Sequence, residues 1–271
     1  MIAKHLRMRS LVTALLFFAL IPASVKAQDA DDFLAQLHSF RVSNYIALDA
    51  YYRFIGSGST DTLNEIVAGI NAANTAMKSL EASTSDVLTN EQTGKLNTEF
   101  RSFKNLMRDN INDVRTTGFP DLRLVSDMAN QAVVMNDMAT GFYEMALEDS
   151  LTNTDPRIEA ARMGAVKIAR MMAKYAVRTN SSVSQTFQGS ATDLPLDEQA
   201  REFDRLLETI DSGESANELT NLLGDVSSKW QFIRGSYINY NENNVGFVID
   251  RYSKHILEGL TQVIDMLEHS A

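Results

Sequence analysis

The chain is 271 residues long, 44% hydrophobic and 22% charged, with a formal net charge of −10. That is too apolar for a disordered polypeptide and too acidic for a nucleic-acid binder, which needs a surplus of lysine and arginine to meet phosphate. No cysteine occurs, which excludes disulfides, thiolate metal sites and cysteine nucleophiles; four prolines and 13 glycines are too few for a turn-rich β-sandwich or barrel.

Residues 1–27 read as a secretory signal peptide. Lys4, His5, Arg7 and Arg9 form a basic start, and Leu11 to Ile21 is an apolar run broken only by Thr13. Val25-Lys26-Ala27 then sets small residues at the −3 and −1 positions of a cleavage site after Ala27. The apolar run is about half the ~20 residues a membrane span needs. Retention as an N-terminal anchor is the alternative. A mature chain from Gln28 carries 21 basic and 35 acidic residues, a net charge of −14. The expectation is an exported, periplasmic protein.

From there on, apolar residues recur every three or four positions, which is the pattern of amphipathic helices. The first stripe runs Phe33, Leu37, Phe40, Ala47, Tyr51, Phe54, with Asn44 as its polar member. Leu63 to Leu80 makes the second, Leu96 to Val114 the third and Val125 to Ala146 the fourth. The fifth is Ile158, Ala161, Ala165, Ile168, Met172, Tyr175, and the sixth runs from Ala200 to Ile210. Leu219 to Tyr240, including Trp230, makes the seventh, and Ile249 to Leu267 the eighth. Thr89-x-x-Gln92 and Ser215-x-x-Glu218 have the spacing of capping boxes, and Asp155-Pro156 puts a cap before a first-turn proline. Gly56, Gly118 and Gly213 stand where helices are expected to stop, and residues 181–193 read as a loop. The fold expected is all-α: two tandem antiparallel four-helix bundle units, residues 28–150 and 151–271, or one extended bundle. Short matches between the halves suggest a duplication: Ile46-Ala47 with Ile168-Ala169, Leu63-Asn64-Glu65 with Leu196-Asp197-Glu198, and Phe100 with Trp230.

Motifs for chemistry are missing. Di-iron bundles need Glu-x-x-His, whereas Ala35, Tyr252 and Met266 stand three residues before His38, His255 and His269. There is no Gly-x-Ser-x-Gly, no Ser-x-x-Lys and no glycine-rich phosphate loop. Gly56-Ser57-Gly58-Ser59 reads as a turn between helices. The expectation is a non-enzyme with no catalytic residues, no metal and no cofactor.

The fifth helix carries the one unusual feature. Lys167, Arg170, Lys174 and Arg178 form a basic line on an acidic chain, and Arg162 flanks the buried stripe beside Ala161 and Ala165. One account is a solvated face pairing with acidic neighbours. The other is a ligand site at Arg162, Lys167 and Arg170, with Lys174 and Arg178 as a secondary basic face, for a small anion or an acidic partner, since guanidinium donors suit oxyanions.

The stretch Arg162-Met163-Gly164-Ala165-Val166-Lys167-Ile168-Ala169-Arg170 resembles the Arg-Met-x-Ser-x-Arg-(Ile/Met)-Ala-Lys signature of PilJ-type sensor domains. These are periplasmic domains of type IV pilus chemoreceptors, related to nitrate/nitrite-sensing kinases. Glu202-Phe203-Asp204-Arg205-Leu206-Leu207 and the Trp230 helix extend the resemblance over roughly residues 155–265. Ala165 and Val166 stand where the family has Ser and Gln, and Arg41 falls one residue out of register with Arg162. The resemblance implies a helical sensory module, often a homodimer, that passes a signal through a partner such as a membrane receptor. It also implies an arginine, here Arg162, that grips an anion at the interface. The competing expectation is a structural or adaptor protein scaffolding an envelope assembly.

Overall fold

The computed structural model describes residues 21–83, 87–149, 155–180, 194–213, 216–242 and 244–270. Residues 1–20 of the expected signal peptide, the expected loop at 181–193 and Ser215 of the second capping box lie outside the described residues.

Eight α-helices make up the described chain: α1 (Ile21–Ser57), α2 (Thr60–Ala82), α3 (Asn90–Thr117), α4 (Leu122–Asp149), α5 (Pro156–Asn180), α6 (Leu196–Ile210), α7 (Asn217–Ile238) and α8 (Gly246–Glu268). Each coincides with one apolar stripe, and the protein is all-α. α1 starts at Ile21, so Val25-Lys26-Ala27 lies within its first two turns.

The helix ends follow local chemistry. Thr89 and Gln92 cap α3 reciprocally, the side chain of each accepting from the other's backbone N–H. Gly118 closes α3 in the left-handed region at φ 82°. Asp155 Oδ1 accepts from Arg157 N at 2.8 Å to start α5 behind Pro156. One expectation shifts. The residue that turns the chain out of α1 is Gly58, at φ 61°, rather than Gly56. Gly56 lies inside α1, and its missing side chain makes room for α5: a Cβ there would come within 2.5 Å of Asn180 Oδ1. The N-cap of α7 is Ala216, with no side-chain hydrogen bond.

Packing produces two apolar cores. The first is built from α1–α4, centred on Phe40, Tyr51, Phe100, Phe103 and Met135, and takes in Val166, Ala169, Ala173 and Ala176 of α5. The second is built from α5–α8 around Trp230, Phe203, Tyr175 and Tyr237. Neighbours run antiparallel along each half: Arg53 of α1 meets Glu65 of α2, and Asp204 of α6 meets Trp230 and Arg234 of α7. Between the halves, α1 and α5 lie side by side and parallel, because Asp31 meets Arg162 near their starts and Gly56 meets Asn180 near their ends. Alanines on α5 permit this approach, and α8 crosses back along α5 on the other side. The α1/α5 seam therefore joins the two cores.

Candidate functional site

The seam holds most of the buried charge. Arg162, on the second turn of α5, is 1% exposed. One terminal nitrogen donates to Glu268 at 2.7 Å and to Asp31 at 3.2 Å, and the other donates to Glu159 at 3.1 Å. The Tyr143 hydroxyl donates to the second oxygen of Glu159 at 2.6 Å. Burial opposes the charge on Arg162, but Tyr143, Glu159 and Asp31 outweigh it, so its pKa is raised. Its terminal nitrogens are thus committed to carboxylates supplied by α1, α5 and α8.

The rest of the basic line faces other partners. Lys167 pairs with Glu202 of α6. Lys174 donates to the Leu194 carbonyl at 3.0 Å, and the Arg178 guanidinium stands 5.8 Å from the Tyr175 and Tyr240 ring centres. Arg170 is half-buried between them. Arg162 and Lys167 are five residues apart, which at 3.6 residues per turn sets them ~140° apart around the helix. The structure therefore does not bring Arg162 and Lys167 to one point: the first turns to α1 and α8, the second to α6.

What it does bring to Arg162 is a residue that sequence reasoning passed over as a site. Arg41 of α1 is 8% exposed and lies against Tyr143, its guanidinium 4.9 Å from the ring centre. Among the described residues, no carboxylate lies within ion-pair distance of Arg41, and its Nε has no hydrogen-bond acceptor. Burial holds its pKa below the ordinary arginine range; Tyr143, Tyr45, Glu144 and Glu159 offset this only in part. The neighbouring His38 has a buried Nδ1 without a partner, and burial together with the charges of Arg41 and Arg162 pushes its pKa down to about 3. Arg162 Nε is also without an acceptor. Arg41 and Arg162 thus approach from either side of Tyr143, the one on its ring and the other on its partner Glu159, with His38 nearby and one buried nitrogen on each of the three unsatisfied. Unsatisfied buried polar atoms call for an explanation, because each leaves its desolvation uncompensated.

A second charged group bridges the halves further along. Arg53 contacts Asp49 at 2.9 Å and Asp250 at 3.1 Å and also pairs with Glu65, while Lys254 holds Glu65 at 2.9 Å and Asp250 at 3.0 Å. Asp49 is 2% exposed; burial raises its pKa to about 6 despite Arg53.

Among the described residues, no three His, Asp or Glu side chains are grouped to hold a metal ion, and no helix is long and apolar enough to cross a membrane. The chain matches no family model, no curated protein and no solved structure.

Proposed function

We propose that the protein is a non-enzymatic ligand-binding module of a PilJ-like sensory kind, exported to the periplasm and acting through a partner such as a membrane receptor. Its ligand is a small oxyanion held in the α1/α5 seam by Arg41, with His38 and Arg162 beside it. The observation that carries this reading is the buried Arg41 guanidinium, which has an aromatic ring but no described carboxylate against it. A buried charge without an ion-pair partner is unfavourable by several kcal/mol, and a cation–π contact together with more distant carboxylates returns only about 2 kcal/mol of that. An anion at the guanidinium supplies the missing charge, and its planar donor fork suits nitrate-like or carboxylate groups. Placement in the seam gives such a ligand leverage, since its binding alters how the two halves are held together.

The test is calorimetric titration with nitrate, nitrite, acetate and sulfate against chloride. Binding by at least one oxyanion that is lost in Arg41→Met supports the reading. Absence of binding by all of them refutes it.

One observation favours a scaffold instead: Arg162, Lys167 and Lys174 are all matched within the chain. On that reading the seam is a rigid joint and the helices only present a surface. Robust co-purification with an envelope protein, without any anion response, selects it.

A further inference from the structure

The seam opens at its far end into a cleft of ≈ 570 Å³. It is lined from both halves, by α1 and α2 on one side and by α5 and α8 on the other. Arg53 on its wall is twelve residues beyond Arg41, ~18 Å along α1, so it is separate from the anion corner. Pockets of some 300–1,000 Å³ between structural units are typical of small-molecule sites.

Its wall is unbalanced in charge. Asp49, Asp61, Glu65 and Asp250 face a single lining cation, Arg53. Arg53 is already shared among three of those carboxylates, and Lys254 behind it is shared between Glu65 and Asp250. Helix dipoles do not correct this, since the N-termini of α2 and α8 meet the C-termini of α1 and α5 here. Met172, Ala176 and Ile249 give the wall an apolar stretch, with Phe247 standing 77% exposed, while Ser57, Thr62, Thr179, Asn180 and Asn244 add neutral polar groups. An aromatic ring left in water beside surplus carboxylates is a surface suited to a cation with an apolar body.

We propose that this cleft binds an organic monocation, an ammonium group carried on a small apolar or aromatic body. The ammonium meets the Asp49, Glu65 and Asp250 side while the body lies on Met172, Ile249 and Phe247. Asp49, the most buried of the carboxylates, has its pKa raised by that burial and by the neighbouring Asp250, with Arg53 offsetting this only in part. The site does not depend on the anion reading of Arg41.

The experiment is calorimetric titration of the full chain at pH 7.5 with benzylamine, benzyl alcohol and benzoate. Benzylamine is expected to bind at least tenfold more tightly than benzyl alcohol, and benzoate not at all. Asp61→Asn and Phe247→Ser change exposed residues outside the ion-pair network. Each is expected to weaken benzylamine about threefold to tenfold, with the urea midpoint unchanged. Equal affinity for amine and alcohol overturns the proposal, as does no binding at millimolar concentration or no effect of either substitution. Nitrate titrated into the same samples reads the Arg41 corner separately.

Discussion

Replacing Arg162 by methionine removes the charge and keeps much of the apolar stem. Three carboxylates then lose their counter-charge: Glu159, Glu268 and Asp31, with side chains 17%, 26% and 43% exposed. Breaking a buried pair by removing one partner costs roughly 3–5 kcal/mol. Water reaches Asp31 and Glu268, so the expected loss sits near the lower limit, about 3 kcal/mol at pH 7. In a chain of this size that lowers the melting temperature by roughly 6–12 °C. The assay is urea denaturation of both proteins at pH 7. Arg162→Lys, which keeps the charge but reaches fewer oxygens, falls between them. A loss under about 1 kcal/mol at pH 7 refutes the view that these carboxylates are what Arg162 holds.

Asp49 has a folded pKa of about 6, above its ordinary value, so its contribution to stability is complete below that ordinary value and is lost as the pH rises through 6. Compared with Asp49→Asn, the parent gains roughly 2 kcal/mol between pH 7 and pH 4, read from urea midpoints. Gly69→Ala drives a Cβ to 3.0 Å from Ala47 N and 3.1 Å from Ser43 O, backbone atoms that cannot swing aside. It should destabilise by about 1–3 kcal/mol in thermal melts, whereas Gly164→Ala, whose Cβ meets Phe203 at an ordinary 3.5 Å, is neutral or stabilising by about 1 kcal/mol. Asp204 accepts from Trp230 Nε1 at 2.8 Å and pairs with Arg234 at 2.7 Å, so Asp204→Ala should cost about 1–2 kcal/mol and shift the emission of the single tryptophan.

The helices were legible because each must hide one stripe, and a stripe is a pattern within twenty residues. Thr89, Gln92, Gly118 and Asp155 were legible for the same reason: caps are local chemistry. Gly56 misled because its role is tertiary, the approach of Asn180, while the left-handed turn falls two residues later at Gly58. The basic line on α5 was visible, but its division between α1, α6 and α8 follows from helix rotation and from partners distant in sequence, such as Glu268 and Glu202. Arg41 left only a faint signal, an arginine between Leu37, Phe40 and Asn44 on an apolar stripe. Its lack of a carboxylate becomes apparent only when α4 and α5 are laid against α1.

The most direct test compares the stability of the parent and Arg41→Met, first in chloride-free buffer and then with nitrate or acetate. Without anion, the variant should equal or exceed the parent, because a buried charge with no carboxylate partner has been removed. With anion at about 100 times its dissociation constant, the parent alone should gain about 2.7 kcal/mol. A variant that is several kcal/mol weaker in the absence of anion, or that gains as much as the parent when anion is added, would contradict the account.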